Sequence, residues 1–146
     1  MSLEDLICRI ECEEHIFKLA RHLDNHEFEE NKKCYTPDAM VFSNTGKSGT
    51  RVQDMSVETM AAQSSGYKPR LITSITVTPL GSGKAKVFCY CTIKRDVFPS
   101  TEWHFDMVKT GTGWLCSGQR VAIVERHEGE LAEYARKMEA AKAAKS

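Results

Sequence analysis

The hydrophobic period of the chain changes once, and this change limits the folds that the chain can adopt. Apolar side chains in the first half recur mostly every three to four positions, whereas between residues 71 and 124 they alternate with polar ones. A period of about 3.6 is typical of helices with one buried face, and a period of two is typical of strands. Helices followed by strands predict an α+β fold, since alternating β-α units would interleave the two periods.

The predicted elements follow this division. Three helices are expected at residues 3–23, 27–34 and 52–63, with a short strand at 39–42. Four longer strands are expected at 71–77, 85–94, 103–109 and 114–124, with connections at 79–83, 95–100 and 110–113. Short connections join antiparallel neighbours, so these strands form a meander. Such a sheet twists and curls, and helices laid over it would leave a cone with an open end for a ligand.

The length and the net charge of the chain limit the number of domains and the classes of partner that can be expected. The 146 residues suit one domain, which we assign to residues 1–127, followed by a charged, alanine-rich helical tail at 128–146. Twenty basic residues balance twenty acidic ones. Because no basic surplus is available to hold phosphates, nucleic acid is not expected as a partner. The composition favours a small molecule or a protein.

Several other classes of protein and site are also not expected. The sequence has no apolar run long enough to span a membrane and no secretory signal pattern, so a cytoplasmic location without membrane contact is expected. The six cysteines are therefore expected to be reduced core residues. Neither zinc-ligand spacing nor a glycine-rich phosphate loop is present, so no metal or cofactor is expected.

Four short strings occur near the joints between the predicted elements: LDNHEF at 23–28, YTPDAMVF at 35–42, PRLITSITV at 69–77 and GW at 113–114. In the order and spacing of these strings, the chain resembles the SnoaL-like branch of the NTF2-like superfamily over roughly residues 3–126. That branch includes polyketide cyclases, scytalone dehydratase, a lindane dehydrochlorinase and relatives of ketosteroid isomerase. The resemblance implies a cone-shaped fold in which a curved antiparallel sheet packs against three N-terminal helices. It also implies cofactor-free chemistry, although this superfamily includes non-enzymes.

The resemblance also implies a site, from which this sequence departs. Asp24 falls on an aspartate that points into the cone in enzymes of the branch, but its usual histidine partner is replaced by Arg70. Ser74 stands where an asparagine is common, and the sequence Trp103-His104-Phe105 replaces a Tyr-x-Asp pair. Arginine stays protonated at physiological pH, so Arg70 cannot act as a general base. The usual histidine–aspartate pair is therefore not intact.

Three residues are candidates for catalysis. Asp24 in an apolar cone would be the general base, and Arg70 would hold it or stabilise negative charge on the substrate. The hydroxyl of Tyr35 would stabilise an oxyanion. The alternatives are that Asp24 caps the second helix, that Arg70 pairs with a surface acid and that Tyr35 only closes the domain edge.

Further side chains are expected to border the cone by alternation or proximity: His26, Phe42, Cys89, Cys91, Trp103, Phe105 and Met107. For the strand residues the alternative is core packing, and for His26 it is a solvated loop. His104 has the opposite parity to Trp103 and is expected to point away from the cone. Phe88 and Tyr90 would also lie on that outer face, where they could form a homodimer contact.

Two functions remain open on these grounds. The first is a cofactor-free lyase, isomerase or cyclase that acts on a small polyketide-, terpenoid- or aromatic-like substrate by acid–base chemistry. The second is a non-catalytic small-molecule-binding protein or an oligomer-building small subunit. The replaced histidine and the missing second aspartate favour the second, and the position of Asp24 favours the first.

Overall fold

A computed structural model describes residues 1–43, 49–64, 67–93 and 101–145. The helices are α1 (Leu3–Asp24), α2 (Phe28–Lys32), α3 (Val57–Ser64) and α4 (Glu125–Lys145), with a 3₁₀ turn at Val52–Asp54. The strands are β1 (Tyr35–Ser43), β2 (Thr50–Arg51), β3 (Leu71–Gly81), β4 (Lys84–Thr92), β5 (Thr101–Thr110) and β6 (Gly113–Ile123). The predicted α+β class is therefore confirmed. The predicted connection at 95–100 lies outside the described residues.

Helix α1 supplies most of the helical packing. It begins at the predicted residue and is capped by Ser2, whose Oγ accepts a hydrogen bond from the Asp5 backbone N–H at 3.0 Å. Its inner face buries Cys12, Ile16 and Leu19 completely. Farther along the chain, Trp114 of β6 donates its indole N–H to the Glu11 carboxylate at 2.8 Å, which fixes α1 to the sheet.

The sheet is larger and less regular than the predicted meander. Its strand order is β2-β1-β6-β5-β4-β3. Strands β3 to β6 are antiparallel neighbours as predicted, but β1 joins the sheet parallel to β6 and carries the short β2 on its other side. The result is a six-stranded mixed sheet, since the strand predicted at 39–42 is longer and pairs with the last strand of the meander.

Two boundaries differ from the predictions for local reasons. Strand β1 begins at Tyr35, four residues before the start of the strand predicted at 39–42. Its register with β6 shifts between Tyr35 and Met40, and proline is tolerated at such irregular or edge positions. The third helix begins at Val57, because Val52–Asp54 forms a separate 3₁₀ turn where the helix was predicted to start.

Strand β6 contains a bulge that determines which of its side chains face inward. Met107 pairs with Cys116 and Asp106 pairs with Gly118, so Ser117 has no counterpart on β5. An extra residue of this kind reverses the alternation of side chains beyond it. Trp114 and Cys116 are buried before the bulge, and Gln119 is buried after it.

The thiols and one histidine belong to the core. All six cysteines are buried and free, as predicted. Burial raises the pKa of Cys12, Cys89 and Cys91 to about 12, so these thiols stay protonated. His15 is also buried, and its Nε2–H donates to the Cys34 carbonyl at 2.9 Å. Burial lowers the pKa of His15, which favours its neutral form.

Within the described ranges, none of the helices combines the length and the apolar character needed to cross a membrane.

Candidate functional site

A cavity of about 310 Å³ lies between the helices and the inner face of the sheet. This volume is at the lower end of the range of small-molecule sites, about 300–1,000 Å³. Most of its wall is apolar, from the side chains of Leu23, Val41, Val52, Met55, Met60, Ile93, Trp103 and Val121. Polar and sulfur-containing groups interrupt this wall at Asn31, Tyr35, Gln63, Ser64, Tyr67, Arg70, Cys91, Thr101 and Gln119. The cavity therefore suits a largely apolar molecule that carries polar groups.

The first polar feature is an ion pair between Asp24, at the end of α1, and Arg70, just before β3. The Arg70 guanidinium donates to the Asp24 carboxylate at 2.8 Å, and only 5% of the arginine side chain and 15% of the aspartate side chain are exposed. The Arg70 backbone N–H also donates to both carboxylate oxygens, at 3.3 and 3.1 Å. A carboxylate at a helix C-terminus opposes the helix dipole, and Arg70 offsets that repulsion.

Two other protein groups also contact the Arg70 guanidinium. Its second terminal nitrogen donates to the Ser64 Oγ at 3.0 Å, and its guanidinium carbon lies 5.5 Å from the centre of the Tyr67 ring. Ser64 is itself buried. Arg70 therefore lines the cavity with its charge compensated and its geometry fixed on three sides.

The second polar feature is a neutral pair that joins β1 to β6. The Tyr35 hydroxyl donates to the Gln119 Oε1 at 2.6 Å. Burial raises the pKa of Tyr35 well above its ordinary value, so this hydroxyl stays protonated and donates. Gln119 is 7% exposed, and within the described part of the chain no hydrogen bond from its Nε2 is present. The cavity wall therefore contains a buried amide N–H₂ group, that of Gln119, without a hydrogen-bond partner among the described residues.

Asn31 of α2 provides a third polar group. It is 2% exposed, and its Nδ2 donates to the Leu19 carbonyl at 3.1 Å. This bond fixes α2 against α1. The Asn31 Oδ1 accepts no hydrogen bond from the described residues, so the cavity wall offers a buried acceptor as well as a buried donor.

The structure brings some of the predicted site residues together. Tyr35, Arg70, Cys91 and Trp103 line the cavity. Asp24 does not line it directly but is bound to Arg70, which does. Neither alternative for Asp24 and Arg70 describes the contacts. The two residues pair with each other across 46 residues of sequence, and α2 begins at Phe28 with no side-chain cap.

Other predicted lining residues lie elsewhere. Cys89, Phe105 and Met107 belong to the closed core and do not line the cavity, because the space beneath them is filled by packed side chains. Phe42 is 42% exposed on the opposite face of β1, because its neighbour Val41 faces the cavity and side chains alternate along a strand. His26 is exposed in a left-handed conformation, and its ring packs on Phe28.

Gln119 and Asn31 were not among the predicted site residues. Uninterrupted alternation from Trp114 places Gln119 on the outer face, and only the bulge at Ser117 turns it inward. The Ser-Gly pair at 117–118 is the one local signal for that bulge, since glycine often marks such irregularities. Asn31 lies in a polar helical stretch that carries no signal of burial.

The outer face of the sheet carries the residues that were predicted there. His104 lies next to Glu102, with 3.2 Å between its Nε2 and the carboxylate. The Phe88 ring packs edge-on against Tyr90 and His104 at centroid distances of 5.1 and 5.0 Å. His104 therefore takes no part in the cavity, whose described lining contains no histidine.

In the described part of the chain no group of three or more histidine, cysteine, aspartate or glutamate side chains is placed to hold a metal ion.

No protein-family model and no curated protein matches this chain. Solved structures do match it. One is described as a candidate scytalone dehydratase from Novosphingobium aromaticivorans DSM 12444, with a TM-score of 0.66 and 15% identity, covering 85% of this chain and 89% of that one. Another is described as a candidate dehydratase of the NTF2-like family from Streptomyces avermitilis. It has a TM-score of 0.63 and 12% identity, covering 78% of this chain and 94% of that one.

A third similar structure, from Catenulispora acidiphila, was solved in complex with S-DNPA. It has a TM-score of 0.62 and 17% identity, covering 85% of this chain and 98% of that one. Similarity at this level of identity shows a shared fold and leaves activity open. The chain has the NTF2-like fold, as its sequence strings predicted.

Proposed function

We propose that this protein binds a small, largely apolar molecule in the cavity between its helices and its sheet. The observation that carries the proposal is the cavity itself, about 310 Å³ in volume, with a mostly apolar wall and a few buried polar groups. This combination is typical of small-molecule sites. The similar structure solved in complex with S-DNPA supports the proposal by showing that a protein of this fold takes up a ligand.

The polar groups of the cavity are better suited to hydrogen bonding than to proton abstraction. Asp24 already accepts three hydrogen bonds from Arg70. Burial raises the pKa of Tyr35 well above its ordinary value and that of Cys91 to about 12, so both carry their protons near neutral pH. A general base works best when its pKa lies near the operating pH. These groups therefore favour recognition of a ligand over its deprotonation.

A cofactor-free lyase or isomerase is the second candidate. The observation in its favour is that the Asp24 carboxylate lies 2.8 Å from a cavity-lining arginine, and two similar structures are described as candidate dehydratases. In that role Asp24 would take a proton next to a carbonyl, and Arg70 would stabilise the charge developing on the substrate oxygen. Asp24 would first have to exchange its bond to Arg70 for one to the substrate.

Binding can be tested with a pair of variants on one strand. Val121 lines the cavity, whereas Ile123 is exposed and does not. We expect the wild type to bind 2-ethylnaphthalene, followed by calorimetry or by the fluorescence of Trp103 in the cavity wall. Val121→Phe should weaken that binding at least about tenfold by filling the cavity, and Ile123→Phe should leave it unchanged. Equal binding by the two variants would refute this location.

Turnover can be tested separately with a β-hydroxy ketone such as 4-hydroxy-4-phenylbutan-2-one, whose loss of water gives a conjugated enone that is followed by its ultraviolet absorbance. If the second candidate is right, Asp24→Asn abolishes turnover while the chain stays folded. Asp38→Asn, at an exposed position of β1, is the matched control and should keep full activity. A wild type that binds this ketone without converting it would favour the binding function.

Self-association through the outer face of the sheet is a further part of this proposal. The cluster of Phe88, Tyr90 and His104 supports it by placing half-buried rings on a face away from the cavity. Sedimentation at micromolar concentration should show a dimer, and Tyr90→Glu should dissociate it. A monomeric wild type would contradict the idea without affecting the cavity.

A further inference from the structure

We propose that Gln119 recognises an uncharged hydrogen-bond acceptor on the ligand, typically a carbonyl oxygen, and that Tyr35 orients Gln119 for this task. The inference rests on the proposed binding function and names the class of molecule that the cavity takes: a neutral ketone, aldehyde, ester or lactone on an apolar skeleton. Tyr35 is a positioning residue in this scheme, and Gln119 is the group that touches the ligand.

The first step of the argument is the orientation of the amide. The Tyr35 hydroxyl holds the Gln119 Oε1 at 2.6 Å, so the oxygen side of the amide is occupied. No hydrogen bond joins the Gln119 Nε2 to another described residue, although Gln119 lines the cavity and is 7% exposed. Buried donors in native proteins are almost always paired with protein, water or ligand. The unpaired N–H₂ is therefore a prepared donor inside the cavity.

The second step is the charge of the site. Arg70 is the cationic side chain in the described lining, and Asp24 neutralises it at 2.8 Å. A ligand carboxylate would bring a further negative charge into a buried region where the available cation is already paired. A neutral acceptor meets no such penalty, so the cavity should prefer a carbonyl compound over the corresponding acid.

Three probes with the same ring system test this preference: 2-acetylnaphthalene, 2-ethylnaphthalene and 2-naphthoate. Each is titrated into the folded wild-type chain and into Tyr35→Phe/Gln119→Met, in which both partners of the neutral pair are apolar and neither is left unsatisfied. The measured quantity is the ratio of the Kd of the hydrocarbon to that of the ketone. We expect this ratio to fall about tenfold in the double variant.

Two further variants sharpen the assignment. Tyr35→Phe alone should reduce the ratio by a smaller factor, because the Gln119 donor remains but is no longer oriented. Gln53→Met is the control, since Gln53 does not line the cavity and its amide donates to the Lys32 carbonyl. The wild-type ratio should persist in Gln53→Met. An equal loss of the ratio in Gln53→Met and in the double variant would overturn the proposal.

A measurement on the wild type alone covers the case in which the double variant does not fold. The carbonyl stretch of bound, ¹³C-labelled 2-acetylnaphthalene should lie at lower frequency than in an alkane solvent, because hydrogen bonding weakens the C=O bond. An alkane-like frequency, or tighter binding of 2-naphthoate than of the ketone, would overturn the proposal. Binding of the probes without any carbonyl preference would refute it while leaving the proposed function intact. Failure of all three probes to bind would refute both.

Discussion

Two polar pairs border the cavity, and they leave different groups free. The Asp24–Arg70 pair is charged: both Asp24 carboxylate oxygens accept hydrogen bonds from Arg70, and the Arg70 guanidinium also contacts Ser64 and the Tyr67 ring. The Tyr35–Gln119 pair is neutral, and it uses only the oxygen of the amide. Both pairs connect distant parts of the chain, across 46 and 84 residues respectively. The charge of the ion pair is therefore compensated within the protein, whereas the neutral pair leaves the Gln119 amide N–H₂ without a partner among the described residues.

This difference shows why charge alone is a poor guide to the site. From the sequence, Asp24 and Arg70 were candidates for catalysis because the family resemblance placed them in the site. In the structure the two side chains form a largely buried ion pair that joins the end of α1 to the start of β3. The uncharged glutamine keeps the hydrogen-bonding capacity that a ligand can use.

The largest expected effect is the loss of stability when the charged pair is broken. Arg70→Met leaves the Asp24 carboxylate largely buried with only the backbone N–H of residue 70 as its donor. Removing one member of a buried ion pair costs about 3–5 kcal/mol. Urea unfolding should show a loss of this size in the free energy of unfolding.

Two comparisons decide whether burial is the cause of that loss. Arg51→Met breaks an exposed pair with Asp54, in which the side chains are 47% and 66% exposed, and should cost no more than about 1 kcal/mol. Asp24→Leu/Arg70→Met removes both charges and should recover much of the loss. A loss as large in Arg51→Met would show that the buried pair has no special role.

A smaller loss is expected when the neutral pair is broken. Tyr35→Phe removes the hydroxyl and leaves the Gln119 amide without its partner, which costs about 1–3 kcal/mol for a buried polar group. Tyr90→Phe, at a half-buried position on the outer face, is the matched control and should stay within about 0.5 kcal/mol of the wild type. The two variants should separate in urea unfolding. Indistinguishable midpoints would mean that the hydroxyl contributes little.

The comparison of the two pairs also predicts a change of ligand preference. Asp24→Asn removes the negative charge and leaves Arg70 as an unpaired cation at the cavity wall. Binding of 2-naphthoate should then improve about tenfold, because the ligand carboxylate takes the place of the lost one. Calorimetric titration measures the change, with Asp38→Asn as the control. Unchanged naphthoate affinity would show that Arg70 is out of reach of ligands.

The smallest predicted effect concerns pH and a part of the molecule outside both pairs. Burial lowers the pKa of His15 below its ordinary 6.5, so the unfolded chain binds this proton first as the pH falls. Preferential protonation of the unfolded chain lowers the free energy of unfolding. This loss is absent above about pH 6.5 and grows as the pH drops toward the pKa of His15 in the folded state. His15→Gln, which keeps a donor for the Cys34 carbonyl, should therefore depend less on pH between 7 and 5 than the wild type.

The control for this prediction is His26→Asn, since His26 is exposed and its left-handed conformation is one that asparagine tolerates. Its unfolding should follow the pH dependence of the wild type. If the free energy of unfolding changes with pH equally in His15→Gln and in the wild type, the buried histidine does not cause the pH dependence.

The sequence predicted those parts of the fold that depend on local pattern. Helix α1 and strands β3 to β6 follow from hydrophobic period, a capping residue and short turns. The pairing of β1 with β6 could not be predicted in this way, because parallel strands whose paired residues lie at least 78 positions apart share no turn and leave no local signal. The predicted four-stranded sheet therefore did not include β1, the strand that carries Tyr35.

The site was predicted less completely than the fold. Alternation correctly buried Trp103, and a family resemblance pointed to Asp24 and Arg70, but neither could show that the last two bind each other. The inward position of Gln119 depends on one unpaired residue, Ser117, which shifts the register of β6. A single bulge moves every later side chain of a strand to the opposite face of the sheet, so alternation along the sequence no longer predicts which residues face inward.

The parallel pairing of β1 with β6 has a consequence for biosynthesis. During translation β1 has no long neighbour to pair with until residues 113–123 have left the ribosome, so the nascent chain carries an open strand edge that favours aggregation. The Tyr35–Gln119 contact can form only after that moment. A ligand of the cavity would bind only the fully assembled form, and by mass action it should act as a chaperone that raises the yield of folded protein in the cell.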